Sequence, residues 1–270
     1  MEKAIFIDVD GTLRNDSKEV SERTLVALKS VKELGYEPIL CTGRPCDYAE
    51  KLNREIKGSQ YIIYNNGAGI YDGGNKKILY ENPMNSESIL ELFSFANLSN
   101  IRFILACNGT RYVNTIKHPD EEILFDLPLE TFLEKNKPIA VTIASPDFDI
   151  VKSMKDKIDK VKFVKIINQH KSLVDSNFPK EGTIYYDIVD ENSSKGEAVK
   201  HFCKIFNIVK ENRIAIGDDH NDISMFNECG VTVAMGNALP SLKEIADYIT
   251  NDNNHDGVAD FLEKRILTKK

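Results

Sequence analysis

The feature that most constrains the fold is an alternation of short apolar segments with helical segments at the start of the chain. Residues 3–7, 37–41 and 61–64 are short apolar runs, as expected for strands buried on both faces of a parallel sheet. A helix between the first two runs begins after Ser21 and ends at Gly35, and a second helix begins near Pro45. This β-α-β-α-β order predicts a doubly wound parallel sheet with right-handed crossovers.

The pattern changes after Asn66. Residues 69–81 predict a hairpin whose turn lies at residues 72–75. Further along, the periodicity predicts helices over 86–97 and 147–160, strands over 101–106, 139–144 and 162–167, and β-like segments at 172–175 and 183–189. We expect these segments to form a separate α/β domain inserted into the first one.

The doubly wound pattern resumes at Ser194. It predicts helices over 195–206, 221–229, 239–246 and from about 257, with strands over 213–217 and 231–235. The predicted fold is therefore α/β, with a doubly wound, Rossmann-like parallel-sheet core formed by residues 1–83 and 188–270. Residues 84–187 are predicted to form the inserted α/β cap domain.

Charge and composition exclude several classes of partner. The 270 residues include 35 basic and 42 acidic side chains, for a formal charge of −7, which disfavours nucleic acid and anionic membranes as partners. The first apolar run is interrupted at Asp8, and no apolar stretch approaches the ~20 residues of a membrane span. The five cysteines are scattered without C-x-x-C spacing, which favours a reducing compartment. We expect a cytoplasmic protein.

The segment Asp8-Val9-Asp10-Gly11-Thr12 follows the first predicted strand. Residues i and i+2 of an extended chain point to the same side, so both carboxylates are expected at the carboxyl edge of the sheet, where open α/β folds bind ligands. Two adjacent carboxylates require a cation, and oxygen ligands beside a phosphate favour Mg²⁺. The alternative is a turn formed by Asp and Gly.

A second acidic cluster, Asp218-Asp219-His220-Asn221-Asp222, follows the predicted strand 213–217. If that strand is parallel to the first, Asp218 reaches the same sheet edge as Asp8. Asp219, Asn221 or Asp222 could instead cap the helix that follows. Both interpretations are compatible when one acid caps and Asp218 reaches the metal.

Two shorter motifs point to phosphate binding. Thr42-Gly43-Arg44-Pro45 ends one strand and opens a helix, where a hydroxyl and backbone N–H groups can hold a phosphoryl oxygen. Ser194 and Glu197 match a capping box, but capping does not explain Lys195, because a cation in the first turn opposes the helix dipole. We therefore expect Lys195 to face an anion.

One further motif is interpreted as structural. Asp252, Asn254, Asp256, Gly257 and Glu263 fit the spacing of an EF-hand loop. The preceding segment is short and β-like, and no second hand is present, so we interpret this stretch as a polar turn that caps the last helix. The motifs of P-loop NTPases, dinucleotide enzymes and serine hydrolases are missing from the sequence.

Taken together, the ordered motifs D-V-D-G-T, T-G-R, S-K-G and G-D-D-H-N-D resemble those of the haloacid dehalogenase (HAD) superfamily. N-N-G-A at residues 65–68, V-A-M-G-N-A from Val233 and D-G-V-A from Asp256 resemble its Cof-type phosphatase subfamily. The resemblance covers both core segments, and the middle of the chain matches only as a generic α/β cap.

The resemblance implies a role for each motif residue. Asp8 would be the nucleophile and a metal ligand, and Asp10 would be the general acid/base and would bind Mg²⁺ through its backbone carbonyl. Asp218 would complete the metal site. The implied phosphate contacts are the backbone around Val9, together with Thr42, Gly43, Lys195 and Asn221; supporting residues are Asp219, Asp222, Arg44 and Asn66.

These roles predict a Mg²⁺-dependent phosphatase that hydrolyses small phosphorylated metabolites, such as sugar phosphates, through an aspartyl phosphate. The neighbours of Asp10 are expected to raise its pKa, so that it can donate a proton. Two alternatives stay open: a phosphomutase on the same fold, and a metabolite-binding regulator without catalytic turnover. The sequence leaves the oligomeric state and the particular phosphate ester open.

Overall fold

The computed structural model describes residues 1–56, 59–97, 101–114, 122–124, 128–145, 147–171 and 184–268. The chain divides into two compact units, one formed by Met1–Tyr80 with Ser194–Lys270 and the other by Glu81–Ser193. The sequence pattern places the corresponding boundaries after residues 83 and 187. That the inserted unit acts as a substrate-selecting cap stays a prediction.

The helices and strands follow one another along the chain in this order: β1 (Lys3–Asp8), α1 (Glu22–Glu33), β2 (Tyr36–Cys41), α2 (Cys46–Ile56), β3 (Tyr61–Tyr64), β4 (Gly69–Asp72), β5 (Lys77–Glu81), α3 (Ser86–Asn97), β6 (Arg102–Cys107), β7 (Thr110–Val113), β8 (Glu122–Leu124), α4 (Leu129–Lys135), β9 (Ala140–Ser145), α5 (Phe148–Ile158), β10 (Val164–Lys171), β11 (Ile184–Asp190), α6 (Lys195–Phe206), β12 (Arg213–Gly217), α7 (Ile223–Asn227), β13 (Val231–Ala234), α8 (Pro240–Ile245), β14 (Tyr248–Ile249) and α9 (Gly257–Leu262).

The first unit is built on an eight-stranded sheet with the order β14-β13-β12-β1-β2-β3-β4-β5. The six strands from β14 to β3 are parallel, and β4 is antiparallel to β3. The central strand β1 is apolar because it is covered on both sides: Ala4, Ile5, Phe6 and Ile7 are fully buried. The predicted doubly wound α/β fold is confirmed.

The parallel strands place their carboxyl ends on one edge of the sheet. Asp8 pairs with Cys41 across β1 and β2, and Ile7 pairs with Ile216 across β1 and β12. The residues that follow β2 and β12 therefore start beside the end of β1. Sequence-distant motifs meet at this edge because the strands share one direction.

The second unit contains a six-stranded sheet with the order β10-β11-β9-β6-β7-β8. Its pairs are antiparallel except for β7 and β8, which are parallel. Phe103 and Ile143 of this sheet share one core with Leu92 of α3, Phe132 of α4 and Met154 of α5. An inserted α/β unit is therefore present in this part of the chain.

The sequence pattern missed three short elements of this unit, namely β7, β8 and α4. They have four, three and seven residues, too few for a helical or alternating period to stand out. The β-like segment expected at residues 172–175 lies outside the described residues. Among the helices that the structure describes, none is long and apolar enough to span a membrane.

Candidate active site

Asp8 is the last residue of β1, and only 7% of its surface is exposed. Its Oδ1 lies 2.5 Å from Nζ of Lys195, the first residue of α6. Within the described ranges, the Asp8 carboxylate makes no other hydrogen bond or ion pair. One oxygen of the carboxylate is therefore held in place, while Oδ2 is left for a metal ion or a substrate.

Lys195 lies between two acids. Its fully buried ammonium group also lies 2.6 Å from Oδ1 of Asp222. Burial alone would lower the pKa of Lys195, but the charges and hydrogen bonds of Asp222 and Asp8 raise it above its ordinary value. Lys195 is therefore held as a cation in the first turn of α6, where the helix dipole by itself disfavours one.

Asp218 directly follows β12, and its carboxylate is anchored by the loop after β1. Thr12 Oγ1 donates a hydrogen bond of 2.7 Å to Asp218 Oδ1. Gly11 has a φ of +88°, and a Cβ at this position would lie 2.3 Å from Asp218 Oδ2. Glycine is therefore required here both for the backbone conformation and for the close approach of the carboxylate.

Asp8, Asp218 and Asp222 form a compact acidic cluster. Each offers a carboxylate oxygen, and these atoms all lie within 4.8 Å of one another. In the part of the chain that the structure describes, no other group of three His, Cys, Asp or Glu residues is this close. A donor set made only of oxygens suits a hard divalent cation such as Mg²⁺, so the residues fit the expected metal.

The three acids of this cluster are not equivalent. Both oxygens of Asp222 are engaged, because Oδ1 contacts Lys195 and Oδ2 accepts the backbone N–H groups of Asp218 at 2.9 Å and Asp219 at 3.1 Å. Asp8 and Asp218 keep more of their oxygen atoms free. The structure thus favours Asp8 and Asp218 as ligands and Asp222 as the residue that positions Lys195 and the loop after β12.

The pKa values of Asp8 and Asp218 are both raised. Burial raises the pKa of Asp8 well above its ordinary value; Lys195 opposes the rise, and the nearby charges of Asp222 and Asp218 increase it. Burial also raises the pKa of Asp218 to about 6. The hydrogen bond from Thr12 opposes this rise, and the nearby charge of Asp222 adds to it. Closely spaced buried acids favour protonation unless a cation joins them.

Asp219 is exposed and does not join the cluster. Its side chain accepts the N–H of His220 and caps the short turn His220–Asp222, while Asp222 Oδ2 accepts a hydrogen bond from the Asp219 N–H. Asp219 therefore caps the turn, as the alternative reading of this motif allows, and Asp222 supports the cluster.

Asp10 differs from the expectations in the position of its carboxylate and in the direction of its pKa shift. The carboxylate of Asp10 is not part of the acidic cluster and pairs with Arg44, whose Nε and Nη2 donate to its two oxygens at 2.9 and 3.1 Å. The expected rise of its pKa is wrong. Burial raises the pKa of Asp10, but the hydrogen bonds and charge of Arg44, with smaller contributions from Lys18 and Arg14, lower it overall.

The turn after β2 has two free donors. The N–H groups of Thr42 and Arg44 are already bonded to Ile63 O and Thr42 Oγ1. Across the described residues, no acceptor is found for the Gly43 N–H, and the hydroxyl hydrogen of Thr42 is not engaged. Thr42 and Gly43 therefore keep two donors at the sheet edge that could hold a phosphoryl oxygen.

Two asparagines from separate loops meet beside this turn. Asn221 Nδ2 donates a hydrogen bond of 2.7 Å to Asn66 Oδ1. Asn66 has a φ of +51°, and its backbone N–H donates to Thr42 O at 3.0 Å. The Asn66 contact thus links the loop after β12 to the turn after β2. Val9 closes the loop after β1, because its carbonyl accepts the Arg14 N–H at 2.9 Å.

Sequence reasoning missed the residues that clamp the loop after β1. Asn237 Nδ2 donates to Gly11 O at 2.8 Å, and Asn237 Oδ1 accepts the Asn253 N–H at 3.0 Å. Asn253 Nδ2 in turn donates to Arg14 O at 3.1 Å. The V-A-M-G-N-A motif contains Asn237, so a signal was present in the sequence, but only the structure shows what this residue contacts.

The EF-hand-like segment forms part of this clamp. Asn254 exchanges hydrogen bonds with the backbone and side chain of Asp16, and the Asp252 side chain accepts the Asn254 N–H. The segment is a polar turn, as interpreted from the sequence. Asp252 caps the short turn before α9, however, and the side chain of Asp256 makes no capping bond to α9 itself.

Comparisons with known proteins agree with this architecture. Residues 5–262 match the family model of the haloacid dehalogenase-like hydrolases. The chain is 28% identical to 5-amino-6-(5-phospho-D-ribitylamino)uracil phosphatase YcsE of Bacillus subtilis (strain 168), over 98% of this chain and 96% of the relative. It is 27% identical to pyridoxal phosphate phosphatase YbhA of Escherichia coli (strain K12), over 98% of this chain and 99% of the relative.

A solved structure shows the same fold over nearly the full length. A haloacid dehalogenase-like hydrolase from Bacteroides thetaiotaomicron superposes with a TM-score of 0.79 at 25% identity, covering 98% of this chain and 99% of that one. The resemblance inferred from the four ordered motifs is thereby confirmed. The chain is an enzyme that belongs to the haloacid dehalogenase-like hydrolase family.

Proposed function

We propose that this protein is a Mg²⁺-dependent phosphatase that hydrolyses small phosphorylated metabolites through an aspartyl phosphate on Asp8. The observation that carries the proposal is the position of Asp8: it lies at the carboxyl edge of the sheet, with one oxygen on Lys195 and the acidic cluster beside it. A buried carboxylate held next to a fixed cation is suited to attack an anionic phosphate, which it would otherwise repel.

In the first step, a carboxylate oxygen of Asp8 forms a bond to phosphorus and the bond from phosphorus to the ester oxygen breaks. Lys195, the Gly43 N–H and the Thr42 hydroxyl would hold the phosphoryl oxygens as negative charge redistributes over them. Asp222 contributes indirectly, because it fixes the ammonium group of Lys195 at 2.6 Å.

The departing oxygen takes a proton from Asp10, which releases the alcohol. Arg44 favours the ionised form of Asp10 in the resting enzyme. A phosphate dianion bound beside Asp10 would favour the protonated form, so substrate binding itself would cause Asp10 to take up a proton. In the second step, Asp10 takes a proton from water, the water oxygen attacks phosphorus, and the bond to Asp8 breaks. Inorganic phosphate leaves, the Asp8 carboxylate is regenerated, and Asp10 releases its proton to solvent and returns to the ionised resting form.

The residues that would hold Mg²⁺ are Asp8 and Asp218, with the backbone carbonyl of Asp10 as the third protein ligand that the family resemblance implies. Bound there, the ion would neutralise charge on the phosphoryl oxygens during transfer. The raised pKa values of Asp8 and Asp218 support this assignment, because a divalent cation between their closely spaced carboxylates would favour the ionised forms.

The substrate class is proposed from the names of similar proteins. Two similar proteins are named for the hydrolysis of small phosphorylated metabolites, a ribitylaminouracil phosphate and pyridoxal phosphate. We propose the same broad class for this chain, with selectivity located in the inserted unit.

We also propose a cytoplasmic location, because all five cysteines are free thiols, as is usual in reducing compartments.

The direct test is hydrolysis of p-nitrophenyl phosphate by the wild-type protein and by Asp8→Asn, each with Mg²⁺ or with EDTA. Asp156→Asn is the matched control, because it removes an exposed carboxylate far along the chain in α5. We expect Asp8→Asn and EDTA each to reduce the rate by about a thousandfold or more, and Asp156→Asn to leave it unchanged. Undiminished hydrolysis in Asp8→Asn or in EDTA would refute the proposal.

Two further assays separate the alternatives. Conversion of glucose 1-phosphate to glucose 6-phosphate without free phosphate would indicate a phosphomutase. Binding of phosphate esters without turnover, across a broad panel, would indicate a regulator.

A further inference from the structure

Three cationic side chains surround the carboxylate of Asp10. Arg44 pairs with both oxygens, Lys18 Nζ lies 3.6 Å from Oδ1, and Arg14 contacts the same Tyr48 ring as Arg44. Arg44 belongs to the T-G-R turn discussed above. Arg14 and Lys18 belong to none of the motifs that define the catalytic site, so their presence requires a separate explanation.

Arg14 is held in place but incompletely paired. Both backbone polar groups of Arg14 are hydrogen-bonded: its N–H donates to Val9 O, and its carbonyl accepts from Asn253 Nδ2. Nη1 donates to the hydroxyl of Tyr48, whereas Nε is buried and has no hydrogen-bond partner. Among the described residues, no carboxylate forms an ion pair with Arg14. A buried, unpaired N–H of a guanidinium group is unfavourable unless a ligand completes it.

Lys18 is held close to Asp10 by an uncommon backbone conformation. Its φ is +65°, a region that favours glycine or asparagine, and its N–H donates to Asn15 O at 2.9 Å. Its side chain is 62% exposed and lies beyond direct hydrogen-bond distance of Asp10. Asp10 carries a single negative charge and already pairs with Arg44 through both oxygens, so it does not also balance the charges of Lys18 and Arg14.

Tyr48 brings the two arginines together. The guanidinium carbon of Arg44 lies 5.2 Å from the centre of the Tyr48 ring, and that of Arg14 lies 5.8 Å from it. Contacts of this kind orient guanidinium groups without neutralising them. Arg14 and Arg44 therefore form a positively charged surface next to Asp10, and Tyr48 orients both guanidinium groups.

We infer that Arg14 and Lys18 form a subsite for a second anionic group on the alcohol portion of the substrate, either a carboxylate or a second phosphate. The inference rests on the proposed function, in which Asp10 protonates the departing oxygen. The alcohol portion of the substrate must then begin beside Asp10, and an anionic group a few bonds away from that oxygen meets these two cations. Arg14 and Lys18 are specificity residues in this role.

The test compares pairs of esters that differ in the second anion. One pair is 3-phosphoglycerate and glycerol 3-phosphate, where a carboxylate replaces a hydroxymethyl group. The other set is fructose 1,6-bisphosphate with fructose 1-phosphate and fructose 6-phosphate. Each is measured as kcat/KM for the wild type, Arg14→Gln and Lys18→Gln. Lys29→Gln, an exposed position on α1, is the matched control.

We expect the wild type to prefer at least one of the doubly anionic esters over its partner by about tenfold to a hundredfold, the size of a charge-assisted contact. Arg14→Gln and Lys18→Gln should each reduce that ratio by about tenfold, mainly through KM, and Lys29→Gln should preserve it. Which pair responds identifies the anion as a carboxylate or a phosphate. A wild-type ratio near one in both sets, or a ratio that both variants retain, would overturn the subsite.

A binding measurement separates this inference from the proposed function. The rise in melting temperature is recorded with each ester for Asp8→Asn and for Asp8→Asn combined with Lys18→Gln. A larger rise with the doubly anionic ester that disappears in the double variant supports the subsite even if no ester is hydrolysed. Equal rises for both members of every pair would contradict it, whatever the fate of the hydrolysis assays.

Discussion

Nζ of Lys195 lies 2.5 Å from Oδ1 of Asp8, although the two residues are 187 positions apart in the sequence. The contact exists because Asp8 ends the central strand of the sheet while Lys195 opens the helix that follows the inserted unit. Asp222 holds the same ammonium group from a second direction. Lys195 thus couples the two halves of the discontinuous core at the point where we propose that phosphate is attacked.

Replacing Lys195 by methionine is expected to destabilise the fold. The variant leaves Asp8 and Asp222 buried without their cation, which should lower the free energy of unfolding at neutral pH by about 3–5 kcal/mol. Because the pKa of Lys195 is raised in the folded state, its contribution is fully present below its ordinary pKa and is lost only at higher pH. Urea unfolding of Lys195→Met and of Lys29→Met, an exposed control, checks this; equal values for the two would contradict it.

Replacing Asp218 by asparagine is expected to stabilise the metal-free protein and to abolish activity. The pKa of Asp218 is raised to about 6, so its ionisation destabilises the fold progressively as pH rises from about 4 to about 6. In EDTA at neutral pH the variant should be more stable by on the order of 1–3 kcal/mol, and the gain should vanish near pH 4. Asparagine keeps an acceptor for Thr12.

Thermal unfolding of the wild type and Asp218→Asn, with EDTA and with Mg²⁺, measures the change in stability, and hydrolysis of p-nitrophenyl phosphate measures the loss of activity. Mg²⁺ should raise the melting temperature of the wild type by mass action and should have little effect on the variant. A variant that is less stable than the wild type in EDTA would show that the ionised Asp218 carboxylate does not destabilise the fold.

Gly11→Ala and Gly35→Ala should separate backbone strain from damage to the site. The two glycines have φ angles of +88° and +82°, but a Cβ at Gly35 would meet nothing within 4 Å. Both variants should lose about 1–2 kcal/mol of stability to backbone strain. Only Gly11→Ala displaces the Asp218 carboxylate, so only this variant should lose about a hundredfold in rate on p-nitrophenyl phosphate. Equal activities in the two variants would refute the assigned contact.

Arg44→Gln should weaken the fold in a pH-dependent way. Arg44 lowers the pKa of Asp10 against the effect of burial, so the pair stabilises the fold above the ordinary pKa of aspartate and ceases to do so as pH falls through the lowered value. Because Arg44 is 41% exposed, the loss at neutral pH should stay below about 1 kcal/mol. Urea unfolding at neutral pH and near pH 2 checks this: an equal difference at both would contradict the assignment.

The meeting of Asp8 and Asp218 could be predicted because it depends on strand direction alone. Parallel strands that are buried on both faces place their carboxyl ends together, whatever the separation in sequence. The position of the Asp10 carboxylate could not be predicted in the same way. The i, i+2 rule requires an extended chain, but β1 ends at Asp8 and the backbone turns at Gly11.

The partners of side chains were harder to predict than the positions of motifs. The position of Lys195 in the first turn of a helix indicated an anion, yet its link to Asp222 depends on how α6 packs beside the loop after β12. Asn237 was visible as part of a motif, but its hydrogen bond to Gly11 joins residues from opposite ends of the chain. Contacts of this kind are set by tertiary packing, and no local period encodes them.

The most direct test of the proposed mechanism is to identify the residue that carries the phosphoryl group during turnover. The enzyme is mixed with p-nitrophenyl phosphate and Mg²⁺, quenched in acid within the first turnovers, and digested for peptide mass analysis, with Asp10→Asn used to slow the second step. We expect one phosphoryl group on the peptide that contains Asp8, localised to the Asp8 side chain. Turnover with Asp8 unmodified, or with the phosphoryl group on another residue, would contradict it.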